Sequence, residues 1–242
     1  MINVEASVDG FDISIPEVPI TEERKPFYQK EGYEKLNQAG TARANEAASY
    51  EAPRGTVKGD YAYRHRHQTV LQQHITFFDH DSDGVIWPLD TFHGFRSLGY
   101  SLVFSLLSMF LIHFNFSYPT VSGFLPDPFF RIYVARIHRD KHGSDSGSFD
   151  PEGRFEPQQF EDIFAKYASG DKQGITLAEI VRFINGRRVV MDIFGLLAAI
   201  FEWLATYILL WPEDGRMKKE DIRGVYDGSL FYEISARRRK IE

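Results

Sequence analysis

No cysteine occurs among the 242 residues. Disulfides, zinc–cysteine sites, iron–sulfur clusters, thiol nucleophiles and thiolate-ligated haem are therefore excluded. Positive charge is also sparse: 28 Lys and Arg against 34 acids give a formal net charge of −6. A dedicated nucleic-acid binder, which needs a clustered cationic surface, is not expected. Met1 to Glu23 hold six acids, no base and no apolar run. Neither a secretory signal nor an amphipathic targeting helix is expected there, and the chain is expected to begin in the cytosol. What is abundant is apolar surface, 43% of residues with 15% aromatic, enough for a sizeable core in one domain or two small ones.

Charge is missing altogether over 30 consecutive positions, Ser97 to Pro126. As a helix, Ser97 to Tyr118 would measure roughly 33 Å, long enough to cross a bilayer core. Ser97, Ser101, Ser105 and Ser108 recur at helical spacing along it, and Pro119, Pro126 and Pro128 follow. Prolines there break the backbone, so an entering and returning hairpin is expected rather than a span. Beyond them, Arg131, Arg136, Arg139 and Lys141 alternate with Ile132, Tyr133, Val134 and Ile137, a mixture suited to an anionic lipid surface. A second apolar stretch, Val189 to Trp211, contains Asp192 and Glu202. Two carboxylates are costly inside a membrane, so this is expected to be a core or interfacial helix.

The chain divides into a polar N-terminal arm at 1–64, a calcium-loop unit at 65–96, an apolar lipid-associated segment at 97–130 and a helical region at 131–242 ending in a basic tail, Arg237 to Lys240. Within the arm, Ala39 to Ala52 is the best local helix candidate. Val70, His74 and Phe78, widened by Leu71 and Ile75, form the stripe of an amphipathic helix. The expected fold is mainly α: EF-hand helix-loop-helix units, one intact and one or two degenerate, with a proline-broken apolar hairpin.

The intact unit is Asp79-His80-Asp81-Ser82-Asp83-Gly84-Val85-Ile86-Trp87-Pro88-Leu89-Asp90. Asp79, Asp81 and Asp83 supply oxygens at positions 1, 3 and 5, Gly84 the turn at 6, the Val85 carbonyl position 7, and Asp90 closes the loop at 12. Glutamate is usual at 12, and the shorter Asp90 predicts weaker calcium binding. Two damaged loops follow, one around Ser169 to Glu179 and one near Pro212 to Asp221. Neither is expected to hold calcium alone, and either is a candidate to pair with the first. Of the eight histidines, His138 and His142 stand four apart, but no zinc-protease glutamate accompanies them and Gly143 ends any helix beside His142.

Together these features resemble the caleosins, or peroxygenases. The resemblance rests on the calcium loop, the cysteine-free proline-broken segment and three ordered blocks: Gln73-His74 to Asp83-Gly84, Pro126-Asp127-Pro128-Phe129-Phe130 and Asp227-Gly228-Ser229-Leu230-Phe231, with Lys141-His142-Gly143-Ser144-Asp145-Ser146-Gly147 between the last two. It covers residues 65 to 235, and the looser proline match and Asp90, with the absence of cysteine, point to a fungal-type member. It implies a calcium-dependent, haem-containing enzyme on lipid droplets or the endoplasmic reticulum, the bulk of the chain facing the cytosol. That enzyme transfers one oxygen from a fatty-acid hydroperoxide to an unsaturated fatty acid or another lipophilic acceptor. It also implies that His74 and His142 serve the haem b, without saying which is axial. Substrate lipids and a phospholipid monolayer are the expected partners, nucleic acid is not, and self-association is possible. The competing expectation is a non-catalytic calcium-binding coat or tether of the droplet surface.

Overall fold

The computed structural model describes residues 36–240, so the first half of the polar arm lies outside the described residues. Nine α-helices appear among them: α1 (Tyr61–Arg64), α2 (Val70–Thr76), α3 (Pro88–Leu98), α4 (Leu102–Thr120), α5 (Pro157–Tyr167), α6 (Leu177–Arg187), α7 (Ile193–Leu210), α8 (Lys219–Tyr226) and α9 (Ser229–Arg238). Four short strands join them as two antiparallel pairs, β1 (Val85–Ile86) with β2 (Ile132–Tyr133) and β3 (Gly174–Thr176) with β4 (Arg216–Lys218). The fold is mainly helical, as the sequence predicts.

The strand pairing corrects one expectation. The two damaged loops pair with each other, Ile175 opposite Met217, and not with the first loop, whose Ile86 lies opposite Ile132. Arg216 explains how the damaged pair holds together. Its Nη2 lies 2.9 Å from Asp171 Oδ1 and 3.2 Å from the Ser169 and Gly174 carbonyls, so a guanidinium satisfies the loop oxygens. Ile175 and Met217 are then buried with Phe155, Phe160, Phe164, Phe183 and Trp203 in the larger core cluster. Each such side chain contributes about 1.5–3 kcal/mol on burial.

Ala39 to Ala52 forms no helix. Its backbone instead bridges Arg43 to Phe155 in both directions, at 2.6 and 2.8 Å, and Ala39, Ala47 and Ala48 are buried. Tertiary pairing overrides the local propensity of the alanines. The arm thus clasps the C-terminal half, with Tyr50 N–H donating to Glu161 and Thr56 Oγ1 donating to Asp227.

The long uncharged run is also not one helix. Helix α3 ends at Leu98, Gly99 takes φ +96°, and Ser101 caps α4 by accepting from Phe104 N–H. Ser97 and Ser105 therefore lie on different helices, and Pro119 is tolerated in the last turn of α4. After Val121 the chain turns through an exposed tip, where Phe124 is 96% accessible, and returns as β2. Helices α4 and α7 are both long and apolar enough to cross a membrane by length and composition.

Candidate active site

Helix α2 carries His74 and is started by a capping box: Thr69 accepts from Gln72 N–H and Gln72 accepts from Thr69 N–H. Such reciprocal caps satisfy two of the orphan donors at a helix start. The next residue, Gln73, is buried and donates to the Asn45 carbonyl at 2.7 Å. His74 Nδ1 lies 2.7 Å from the Val225 carbonyl oxygen at the end of α8. A carbonyl only accepts, so Nδ1 carries the proton and Nε2 keeps its lone pair. The backbone at Gly228 presses on the same turn. Gly228 has φ +76°, and a Cβ there would stand 2.7 Å from the Gln73 carbonyl oxygen and 3.1 Å from His74 Cα. Burial pulls the His74 pKa down; the Val225 hydrogen bond, Glu202 and Asp227 oppose without reversing it.

His142 lies beyond the 3₁₀ segment Val134–Asp140, on the loop that leads to Ser144. It shares no helix with His138, because the 3₁₀ turn ends two residues earlier. Ser144 Oγ donates to Asp192 Oδ2 at 2.8 Å and accepts from Val189 N–H, while Asp192 Oδ1 caps α7 through Gly195 N–H. The histidine loop is thereby fastened to the start of the second apolar helix. His142 Nε2 is 3.6 Å from Glu202 Oε1, and its Nδ1 is buried with no hydrogen-bond partner. Burial alone would lower its pKa; Glu202, Asp145 and Asp192 outweigh that and hold it above the ordinary value.

Both imidazoles line one cavity of about 490 Å³. Its walls are mostly apolar, with Ile75, Phe78, Ile112, Phe116, Leu209 and Phe231 among them, and Glu202, Tyr226 and Asp140 add polar groups. Such a balance is typical of ligand sites. Both Asp140 oxygens are buried without a partner, and burial pushes its pKa up to about 8. Tyr226 donates to Ser146 at 2.7 Å, joining the end of α8 to the His142 loop.

Asp79, Asp81 and Asp83 present oxygens within 4.8 Å of one another, close enough to share a cation. Asp79 is buried and accepts from the N–H groups of Asp83 and Gly84, which wraps the loop around it. Burial first, then Asp83 and Asp81, raises its pKa above the usual carboxylate value. The structure does not bring Asp90 into this cluster: its Oδ2 accepts from Trp87 N–H at 2.9 Å and caps α3. Val85 donates its N–H to Asp83 Oδ1 and continues into β1.

Sequence reasoning missed several residues here. Glu202 stood out only as a carboxylate in an apolar run, and that unexplained cost was the available signal for its role beside His142. Val225 and Tyr226 lie some 150 residues from His74, and no local pattern links them; in sequence Gly228 stands only as part of the 227–231 block, with no tie to His74. His113, which carried no assignment, is buried in α4 between Thr91 Oγ1 at 2.7 Å and the Phe130 carbonyl at 2.6 Å.

The family model described as caleosin related protein matches residues 66–235, from the turn before α2 to α9, including the acidic loop and both cavity histidines. The chain is 40% identical over 215 residues to a peroxygenase of Lilium longiflorum, covering 89% of this chain and 87% of that one. It is 36% identical over 168 residues to probable peroxygenase 4 of Arabidopsis thaliana, covering 69% and 86%. A protein of Arabidopsis thaliana named probable inactive peroxygenase-like protein is 29% identical over 149 residues, covering 60% and 69%. No solved structure matches. With its acidic loop, its two apolar helices and its paired cavity histidines all within the matched region, this chain belongs to the caleosin family.

Proposed function

We propose that this chain is a calcium-dependent haem peroxygenase that takes oxygen from a fatty-acid hydroperoxide and delivers it to an unsaturated fatty acid or another lipophilic acceptor. The observation that carries the reading is that His74 and His142 line one apolar cavity with opposite partners. His74 Nδ1 is bonded to the Val225 carbonyl, leaving Nε2 for the cavity, whereas His142 has Glu202 beside Nε2 and a buried Nδ1 without a partner. One is a metal ligand fixed by its second hydrogen bond, the other a proton acceptor.

This donor set fits haem b: no thiolate exists in the chain, an imidazole with a backbone-bound Nδ1–H would offer Nε2 to iron, and the cavity wall is apolar. His74 would hold the iron. Haem bound there supplies the redox chemistry that cleaves a peroxide O–O bond and passes one oxygen on. The protein does the rest. His142 takes the hydroperoxide proton at Nδ1, Glu202 stabilises the resulting imidazolium through Nε2–H, and the proton returns to the departing alkoxide. Asp140, whose carboxyl oxygens are buried without a partner on the cavity wall, would donate a hydrogen bond when protonated. Apolar walls exclude water and orient the acyl chain; no reductase is required.

Asp79, Asp81 and Asp83 with the Val85 carbonyl would hold Ca²⁺, in the manner of an EF-hand, and Asp90 would close the loop only by leaving its cap on Trp87 N–H. Asp79 follows the end of α2 by three residues, so the ion would fix the helix that presents His74. The exposed apolar tip beyond α4 supports a position on the cytosolic face of lipid droplets and the endoplasmic reticulum. A droplet has one phospholipid layer around oil, which a hairpin enters and a two-leaflet span does not. A non-catalytic droplet coat shares the loop and the tip but has no use for two imidazoles in one cavity. Turnover of a fatty-acid hydroperoxide with an unsaturated fatty acid, assayed with calcium and with chelator, separates these. Fatty alcohol and epoxide formed in equal amounts only with calcium supports the peroxygenase; no product at full calcium loading supports the coat.

A further inference from the structure

Helix α4 is inside out. Its buried positions are Ser105, Ser108, His113, Ser117 and Thr120, while Val103, Phe110 and Phe114 are among its most exposed side chains. The buried polar groups are satisfied within the protein: Ser105 and Ser108 donate to carbonyls one turn back, and Ser117 donates to the Arg131 carbonyl. A helix facing water would gain nothing from this arrangement, because polar groups are buried at a cost while apolar ones are left out.

Helix α7 repeats the pattern in a different form. It buries Gly195, Ala199 and Trp203 and exposes Ile193, Phe194, Leu197, Ile200 and Leu204. Just before it, Val190 and Met191 are each 88% accessible. The two helices touch at one end: Tyr100, just before α4, donates to the Ala205 carbonyl at 2.7 Å, and the Phe104 and Phe201 rings stack 5.7 Å apart. The active-site cavity lies between them. Leu111 of α4 and Phe194 and Leu197 of α7 both line that cavity and are exposed on the outer surface, so they frame its mouth.

We propose that α7 is a second lipid-embedded element, immersed beside α4 in the acyl layer of a single phospholipid leaflet, and that the cavity opens between them directly into that layer. This rests on the functional reading above and deepens it: a hydroperoxy-lipid reaches the histidines sideways, from the leaflet, without passing through water. The charge distribution fits a leaflet. Arg136 and Arg139 bind the Thr120 and Val121 carbonyls at the tip end of α4, and Arg187 and Arg188 precede the apolar approach to α7. Cationic groups there meet phosphate headgroups while the apolar faces enter the chains. Glu202 keeps its carboxylate 3.6 Å from His142 Nε2 with its side chain 53% exposed, and helical spacing sets it on the side of α7 opposite Ile193, Leu197, Ile200 and Leu204.

The absence of cysteine makes the test direct, since each engineered thiol is the sole label site. Full-length Phe114→Cys, Leu204→Cys and, as an aqueous control, Glu152→Cys are labelled with an environment-sensitive fluorophore. They are then mixed with phosphatidylcholine vesicles containing phosphatidylserine and acyl-chain nitroxide lipids. The proposal expects both the 114 and 204 labels to brighten severalfold and to be quenched by the acyl-chain nitroxide, with 152 unchanged. Val190→Glu with Met191→Glu is expected to lower vesicle binding at least tenfold. If 114 enters the acyl layer and 204 stays accessible to an aqueous quencher, α7 is outside the lipid and the proposal fails. If 204 is shielded only as protein concentration rises, with no vesicle present, a second copy covers α7 and the proposal also fails. If neither label enters, membrane docking itself is refuted, whereas hydroperoxide turnover in detergent still reports on the peroxygenase reading separately.

Discussion

His74 Nδ1 and the Val225 carbonyl oxygen are 2.7 Å apart, across 151 residues of sequence. That hydrogen bond fixes which imidazole nitrogen faces the cavity, and it ties α2 to the end of α8. The same turn reaches His74 a second time through Gly228, whose missing side chain lets the two backbones meet.

Gly228→Ala is expected to cost about 1–3 kcal/mol, from a non-glycine residue forced to positive φ. It also pushes the new Cβ against Gln73 and His74. Denaturant unfolding should show the lost stability, and a titration with haem should show weakened affinity beyond that of an alanine placed at exposed Gly170. Unchanged stability and unchanged haem affinity would mean that this contact does not position His74.

Glu202 holds the His142 pKa up against burial. If neutral His142 takes the hydroperoxide proton, activity rises as pH climbs through that pKa. Removing the Glu202 charge lowers the pKa, so in Glu202→Gln the acid limb of kcat/KM moves to lower pH. A limb that stays in place or moves upward contradicts the assignment of His142 as the base.

Asp90 caps α3 and lies apart from the three clustered aspartates. A longer carboxylate reaches further into the loop, so Asp90→Glu is expected to tighten calcium binding by roughly fivefold to tenfold. Calorimetry decides: equal or weaker affinity would show that residue 90 does not close the calcium site.

Much of this was legible in sequence because it is local. Three aspartates at alternate positions before Gly84 announced the acidic loop, and the Val70–His74–Phe78 stripe announced the helix that leads into it. What failed or was missing is non-local. Alanines at 39 to 52 read as helix until Phe155 supplies a bridging partner. The damaged loops carry no mark that says they pair through Ile175 and Met217. Gly99 divides the uncharged run, yet hydropathy alone makes the run continuous. Glu202 has meaning only once the fold places His142 beside it.

The most direct test of the account is an absorption spectrum of the calcium-loaded, detergent-purified protein reconstituted with haem. Wild type, His74→Ala and His142→Ala are compared, each followed by addition of a fatty-acid hydroperoxide. The account predicts a Soret band in wild type, its loss in His74→Ala, and in His142→Ala a retained band with hydroperoxide cleavage reduced about 100-fold or more, the range of a missing acid–base group. A Soret band that survives in His74→Ala, or no haem bound by the wild type, would contradict it.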